Sequence, residues 1–238
     1  MIDFLKGILF VRKCLVCGKI LPDAEKETAL CPHCLALYEG LEEEICSDCG
    51  LAERICACVP STLKGKISFS AHLFSYESPL SKTLIYSLKR NNLSCLQNFL
   101  VRRLWDRLGF SDLSDYTVTF APRKPKSVRE YGFDQAKILA KLLAKQLSLP
   151  FDSVFSHRHF SKLQKTLSAK ERKENAEKSY VLRADFERET DKLLIVDDVM
   201  TTGSTLAALI SLAKEAGYRE VAVVTVAKTV HENKKEPF

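Results

Sequence analysis

Apolar positions along this chain fall into two regimes. Leu193 to Val196 and Val221 to Ala227 are unbroken apolar runs without a polar face, the pattern of strands buried on both sides in a parallel sheet. Tyr116 to Ala121 reads as a strand ending at Pro122, and Ser68 to Tyr76 as a further strand-like run. Elsewhere apolar residues recur at helical spacing. Ala136, Leu139, Ala140, Leu143 and Leu147 share one face of a helix predicted over 133–147. Leu206, Leu209, Ile210 and Ala213 form the buried stripe of a helix that stops at Gly217. Helical stretches are also predicted over 79–89 and 94–108. The β-α-β alternation around residues 193–227 implies an α/β fold with a Rossmann-like parallel sheet and helices packed on it.

The first 63 residues obey neither regime and are organised by cysteine. Eight of the nine cysteines form the pairs Cys14 and Cys17, Cys31 and Cys34, Cys46 and Cys49, Cys56 and Cys58. Each pair can supply two thiolates from one knuckle turn, and Gly18 and Gly50 follow two of them with the permissive backbone a knuckle needs. The pattern predicts two structural zinc sites. Sequence-adjacent pairing gives one from Cys14, Cys17, Cys31 and Cys34 and another from Cys46, Cys49, Cys56 and Cys58, with a cross-braced pairing as the alternative. Four protein ligands leave no open position for water, which assigns both sites to folding rather than chemistry. A disulfide framework is the rival. The longest early apolar run, Ile8 to Val11, is too short for a secretory signal or a membrane span, so a reducing cytoplasmic location is expected. His33 within CPHC is a spare ligand type, and Cys95 is expected to be a small buried residue.

Composition adds limits. With 238 residues, 46% apolar and 28% charged, the chain has room for one sizeable α/β core plus a small module, and nothing suggests disorder. Cysteines end and Pro, Ser and Gly cluster at 59–66, giving a cysteine-rich module over 1–63 and an α/β domain over 66–238. The overall charge of +6 is uneven: −4 over 1–63 and +8 over 120–178. Thiolates on zinc would deepen the N-terminal negative charge, which argues against that module as an electrostatic DNA clamp.

The most specific chemistry lies in Leu193 to Thr205, LLIVDDVMTTGST. Asp197 and Asp198 follow the apolar run at the carboxyl end of its strand, where open α/β sheets bind ligands. Thr201 to Thr205 reads as a hydroxyl-rich turn around Gly203, with Ser204 or Thr205 predicted to cap the next helix. Backbone N–H groups in such a turn form a concave phosphate site, and ionised carboxylates beside it accept from sugar hydroxyls. No Lys follows Gly203 as a P-loop requires, and G-x-G-x-x-G does not occur. The strand ending at Ala121 runs into a loop bearing Arg123, Lys124, Lys126 and Arg129, cations suited to a pyrophosphate chelated by Mg2+. Residues 157–182 are polar, basic and long enough for an active-site lid.

Residues 193–205 resemble the signature of the type I phosphoribosyltransferases, which bind 5-phosphoribosyl 1-pyrophosphate (PRPP). The resemblance implies that Thr201, Thr202, Gly203, Ser204 and Thr205 hold the 5′-phosphate. Asp197 and Asp198 would face the ribose hydroxyls and serve as the catalytic acids, while Arg123 and Lys124 would neutralise pyrophosphate with Mg2+. Gln164 and Arg172 would belong to the mobile loop. Together with the cysteine pairs, FSYESPLSKTLIYSLKR, YGFDQA and the series Arg158, Gln164, Leu167, Arg172, Asn175, Tyr180, the chain resembles the ComF competence-protein family over almost its whole length. That family joins a zinc-binding module to a phosphoribosyltransferase-like domain and is implicated in handling incoming single-stranded DNA. The family's usual R-G-F-N-Q is altered here, with Tyr131 for Arg and Asp134 for Asn. A carboxylate at 134 weakens any phosphate contact there, so Asp134 is not expected among the ligands.

Two functions compete. One is a PRPP-binding accessory protein for DNA uptake, with single-stranded DNA and uptake proteins as partners. The other is an active phosphoribosyltransferase that passes its group to a base or amine and releases pyrophosphate. No aromatic and amide cluster announces such an acceptor.

Overall fold

The structure is a computed structural model that describes residues 12–22, 29–109, 111–158 and 179–229. Its element order is α1 (Pro32–Glu43), β1 (Ser70–Ala71), β2 (Phe74–Ser75), α2 (Pro79–Arg90), α3 (Ser94–Leu108), β3 (Tyr116–Phe120), α4 (Pro125–Tyr131), α5 (Gln135–Leu147), β4 (Phe155–His157), β5 (Tyr180–Leu182), β6 (Lys192–Met200), α6 (Ser204–Glu215) and β7 (Glu220–Lys228). Among the described residues, no helix is long and apolar enough to cross a membrane.

The long apolar runs pair as expected. β3, β6 and β7 lie side by side and parallel, with Val118 opposite Leu194 and Val196 opposite Val224. β1 and β2 extend the sheet beyond β7, also in parallel. The predicted single strand over 68–76 is broken at His72 and Leu73, because the His72 ring turns inward to a fully buried hydrogen bond with Glu53. Every side chain of β3 is buried, and β7 is buried from Val221 onward, as strands covered on both faces require.

The pleat of β6 sorts the molecule into two apolar layers. Leu194 and Val196 enter a core with α2, α3, α5 and the cysteine-rich region, including Tyr38, Leu84, Leu100 and Leu139. Leu193 and Ile195 enter the other with α6, contributing Leu206, Leu209 and Ile210. The connection after β3 therefore runs over one face and the connection after β6 over the other. That reversal places a topological switch point between the carboxyl ends of β3 and β6, where ligands bind in open α/β sheets.

Several boundaries differ from the sequence reading. β6 does not stop at Val196 but continues through Asp197 and Asp198 to Met200, because β7 supplies ladder partners as far as Lys228. The predicted helix over 133–147 starts at Gln135 because Asp134 caps it, accepting from Lys137 N–H. Helix α1 and the β4–β5 hairpin had no counterpart in the sequence reading.

Candidate functional site

Two loops meet at the switch point. After β6, the turn 201–203 leads into α6, and the N-cap is Gly203, not Ser204 or Thr205. Gly203 has φ +73, and a Cβ there would lie 2.7 Å from Thr62 Oγ1 and 3.1 Å from Leu63 Cγ, so both backbone shape and space demand glycine. Thr201, Thr202 and Ser204 are exposed around it, and the Thr202 and Ser204 hydroxyls lie 2.9 Å apart. The α6 N-terminus lies at this turn, with the Ser204 N–H donating to Thr202 Oγ1 at 3.4 Å.

Since β6 runs through both acids, the strand's alternation sends Asp197 to the α6 side and Asp198 to the α2/α5 side. Asp198 is buried and already partnered: Gln135 Nε2 donates to Oδ2 at 2.5 Å, and Lys89 Nζ lies 3.3 Å from Oδ1. Asp197 Oδ1 accepts from the Asp198 N–H at 2.8 Å. Burial, then the neighbouring Asp198 charge, pushes the Asp197 carboxyl well above the usual carboxylate range. A half-buried Asp197 next to a buried Asp198, with one nearby ammonium, forms a site short of positive charge and of donors. A sugar's hydroxyls or a divalent cation would supply what is missing. Lys89 and Gln135 were not assigned a role from sequence, although both lie inside the motif stretches 74–90 and 131–136.

The basic loop faces this pair from the end of β3. Lys124 is exposed and caps α4, while Lys126 and Arg129 are exposed on it. Arg123 is held from both sides: its N–H donates to Asp134 Oδ2 at 2.8 Å, and its guanidinium lies 4.4 Å from the Tyr131 ring centroid. The carboxylate at 134 thus ties the loop to the start of α5, and burial raises its pKa. Gln164 and Arg172 lie outside the described residues. Tyr180 opens strand β5 of the β4–β5 hairpin, beside the Thr205 side chain, and burial raises its pKa.

The structure groups the cysteines by sequence neighbourhood. Cys14, Cys17, Cys31 and Cys34 bring their sulfurs within 4.8 Å of one another, as do Cys46, Cys49, Cys56 and Cys58. All nine cysteines are free thiols. Both leading knuckles have one design: Gly18 N–H donates to Cys14 O at 2.9 Å and Gly50 N–H to Cys46 O at 2.8 Å, each glycine at φ +72. Burial alone would raise the Cys14 thiol, but N–H groups of Cys17, Cys31 and Val16 bring it down to about 6. Burial opposes ionisation of Cys46 too, yet Lys228 and local N–H groups bring it down to about 7. Four converging sulfurs with donors aimed at them fit a tetrahedral thiolate site. His33 is exposed on α1 outside both groups, and Cys95 is half-buried rather than buried.

The second group is wired to the sheet. Lys228, at the end of β7, is buried and donates to Cys46 Sγ at 2.9 Å and Cys56 Sγ at 3.0 Å, with Glu53 3.6 Å away. Beyond Cys58 the chain passes beneath the turn after β6: Thr62 Oγ1 donates to Thr202 O at 2.8 Å, and Leu63 is fully buried among α6 residues. Asp48, Cys58, Pro60, Thr62, Lys64 and Thr202 contribute to the wall of a cavity of about 450 Å3.

Comparison with known proteins agrees with this geometry. A family model described as a phosphoribosyl transferase domain matches residues 133–237, and a zinc finger found in FPG and IleRS matches residues 13–36. The chain is 26% identical over 220 residues to competence protein F of Haemophilus influenzae, covering 83% of this chain and 96% of that relative. It is 28% identical over 224 residues to the DNA utilization protein YhgH of Salmonella typhi, covering 91% and 90%. Among solved structures, an allosteric regulatory enzyme of purine biosynthesis aligns with TM-score 0.42 and 16% identity, over 59% of this chain and 30% of that one.

Proposed function

We propose that this chain, which is similar to competence protein F and matches a phosphoribosyl transferase domain behind an N-terminal zinc finger, is a ComF-type protein whose cleft binds PRPP with Mg2+. In this reading the ligand site serves cytoplasmic handling of single-stranded DNA during uptake. The observation that carries it is the turn at Gly203: an α6 N-terminus beside the buried Asp198 and half-buried Asp197 at a switch point, with the cationic loop after β3 at the same sheet edge. The turn and the α6 dipole hold the 5′-phosphate. Asp197 and Asp198 accept from the ribose hydroxyls, and Arg123 and Lys124 neutralise the pyrophosphate. Mg2+ supplies charge neutralisation on the diphosphate. Lys89 occupies Asp198 in the ligand-free chain. Sugar binding therefore exchanges an ammonium for hydroxyl donors, and the freed Lys89 adds a cation on the anionic side of the ligand. The two cysteine groups each hold one structural zinc.

Calorimetric titration of the full chain with PRPP and Mg2+ tests the site. Asp198→Asn keeps the shape and removes an anionic acceptor, and affinity should fall about tenfold. An unchanged titration removes Asp198 from the site. Incubation with labelled PRPP separates the two functions, because pyrophosphate release that depends on an added base or amine would make the protein a transferase. Saturable binding without turnover is the expected result.

A further inference from the structure

We propose that single-stranded DNA is bound on an aromatic and cationic ladder at the rim of the cleft, formed by Tyr86, Arg90, Tyr131 and Arg123. This proposal rests on the single-stranded DNA reading above and assigns it a surface.

The ladder joins two elements that are distant in sequence. Arg90, in the last turn of α2, lies 4.6 Å from the Tyr86 ring centroid and 5.7 Å from that of Tyr131, the last residue of α4. The Arg123 guanidinium also lies against Tyr131, 4.4 Å from its centroid, and is backed by the buried Phe133 ring 5.7 Å away. Rings and guanidinium groups therefore alternate from Tyr86 to Arg123. One cation–π pair is ordinary surface chemistry, found about once per 70–80 residues. Four side chains in series are more than the fold needs, since Tyr86 is 56% exposed and adds little to the core.

Position ties the ladder to the cleft. Lys89 and Arg90 are consecutive: Lys89 reaches inward to Asp198, and Arg90 lies against the tyrosines. Arg123 begins the β3 loop, and exposed Lys124, Lys126 and Arg129 follow it. Two carboxylates border the ladder: Glu130, beside the Tyr131 hydroxyl, and Asp134, which accepts from the Arg123 N–H at 2.8 Å.

The chemistry favours unpaired bases. Aromatic rings and guanidinium planes both accept a stacked base, and only a single strand offers its base faces. The cations beside the ladder match a phosphate backbone. Stacking is sequence-tolerant, which suits DNA of any origin. The acidic N-terminal region then takes no part in holding the strand.

Fluorescence anisotropy of the full chain with labelled oligo-dT tests this. Tyr86→Ala, Arg90→Ala and Tyr131→Leu should each weaken binding about tenfold, and an abasic strand of equal length should bind the unaltered chain correspondingly worse. Calorimetric affinity for PRPP should not change in Tyr86→Ala and Arg90→Ala, whose side chains touch no residue assigned to the diphosphate. Variants that bind oligo-dT like the unaltered chain, or an abasic strand bound as tightly as oligo-dT, overturn the ladder and leave the single-stranded DNA reading standing. Failure of the unaltered chain to bind oligo-dT ends both. Tyr86 is exposed enough that Tyr86→Ala folds even if Tyr131→Leu does not.

Discussion

The two cysteine groups share a knuckle but are attached to the molecule by opposite means. The first is held by apolar contact. Helix α1 carries Cys34 and then Tyr38, which is fully buried and meets Phe74 and Phe99 edge-on, with ring centroids 5.8 and 4.9 Å away. Leu41 adds to the same core, and Glu42 pairs with Arg103 of α3 at its border. The second group is held by polar contact: Lys228 to two sulfurs, Arg107 to Cys56 O at 3.2 Å, Ser70 to Ala57 O at 2.9 Å, and the buried pair of His72 and Glu53. Apolar contact is non-directional and supplies stability. Hydrogen bonds to a charged centre are directional and fix position, and the last cysteine of this group, Cys58, lies four residues before Thr62, which supports the Gly203 turn. The first group is thus a buttress of the core, and the second a strut of the ligand site.

The largest separation should come from removing one ligand of each. Cys31→Ser and Cys56→Ser should each lower zinc content by one ion per chain, read by mass spectrometry. Only Cys56→Ser should cut PRPP affinity, by about tenfold or more, as expected when support around a bound group is lost. Equal losses of affinity would erase the distinction.

Removing the anchors should give smaller and again opposite effects. Tyr38→Ala should cost about 3–5 kcal/mol in urea unfolding and leave the PRPP affinity of the folded chain unchanged. Lys228→Met leaves Glu53 and two thiolates without their cation and should cost about 1–3 kcal/mol. Its telling readout is zinc retention against a chelator, where the second site should weaken about 10–100-fold and the first should not respond.

Neither attachment was legible in sequence, since helix α1, which carries Tyr38, had no counterpart there. Other buried strands and amphipathic helices declare themselves by local spacing, so 94–108, β3 and β7 fall close to their observed bounds. Cysteine pairs declare themselves by composition. What spacing does not carry is a contact between distant positions: Lys228 lies 182 residues from Cys46, and in sequence it is one more lysine near a basic end. The same holds for Lys89 against Asp198 and for Thr62 beneath Thr202. Strand length was misread for a related reason. Asp197 and Asp198 are poor strand formers by propensity, and only the β7 ladder keeps β6 extended through them. Asp134 was read as a weakened phosphate contact, while the structure uses its carboxylate to join the β3 loop to α5.

The smallest effect asks why a site would need a strut at all. Asp197 has its folded pKa raised by burial and by Asp198, so the folded chain holds that proton more tightly than the unfolded chain does. Linkage then gives the sign. Below the unfolded carboxyl value, near 4, both states are protonated and nothing is lost, whereas at neutral pH the charged group opposes folding. The Asp197 carboxylate is then a cost to the fold at neutral pH, offset elsewhere by the apolar core. Asp197→Asn should therefore raise Tm at neutral pH, by about 2–4 °C for each kcal/mol recovered in a chain of this size, while weakening PRPP binding. The gain should shrink as the pH is lowered toward 4. A lower Tm at neutral pH would mean that Asp197 stabilises the empty fold, and the cleft would then need no support from the second cysteine group.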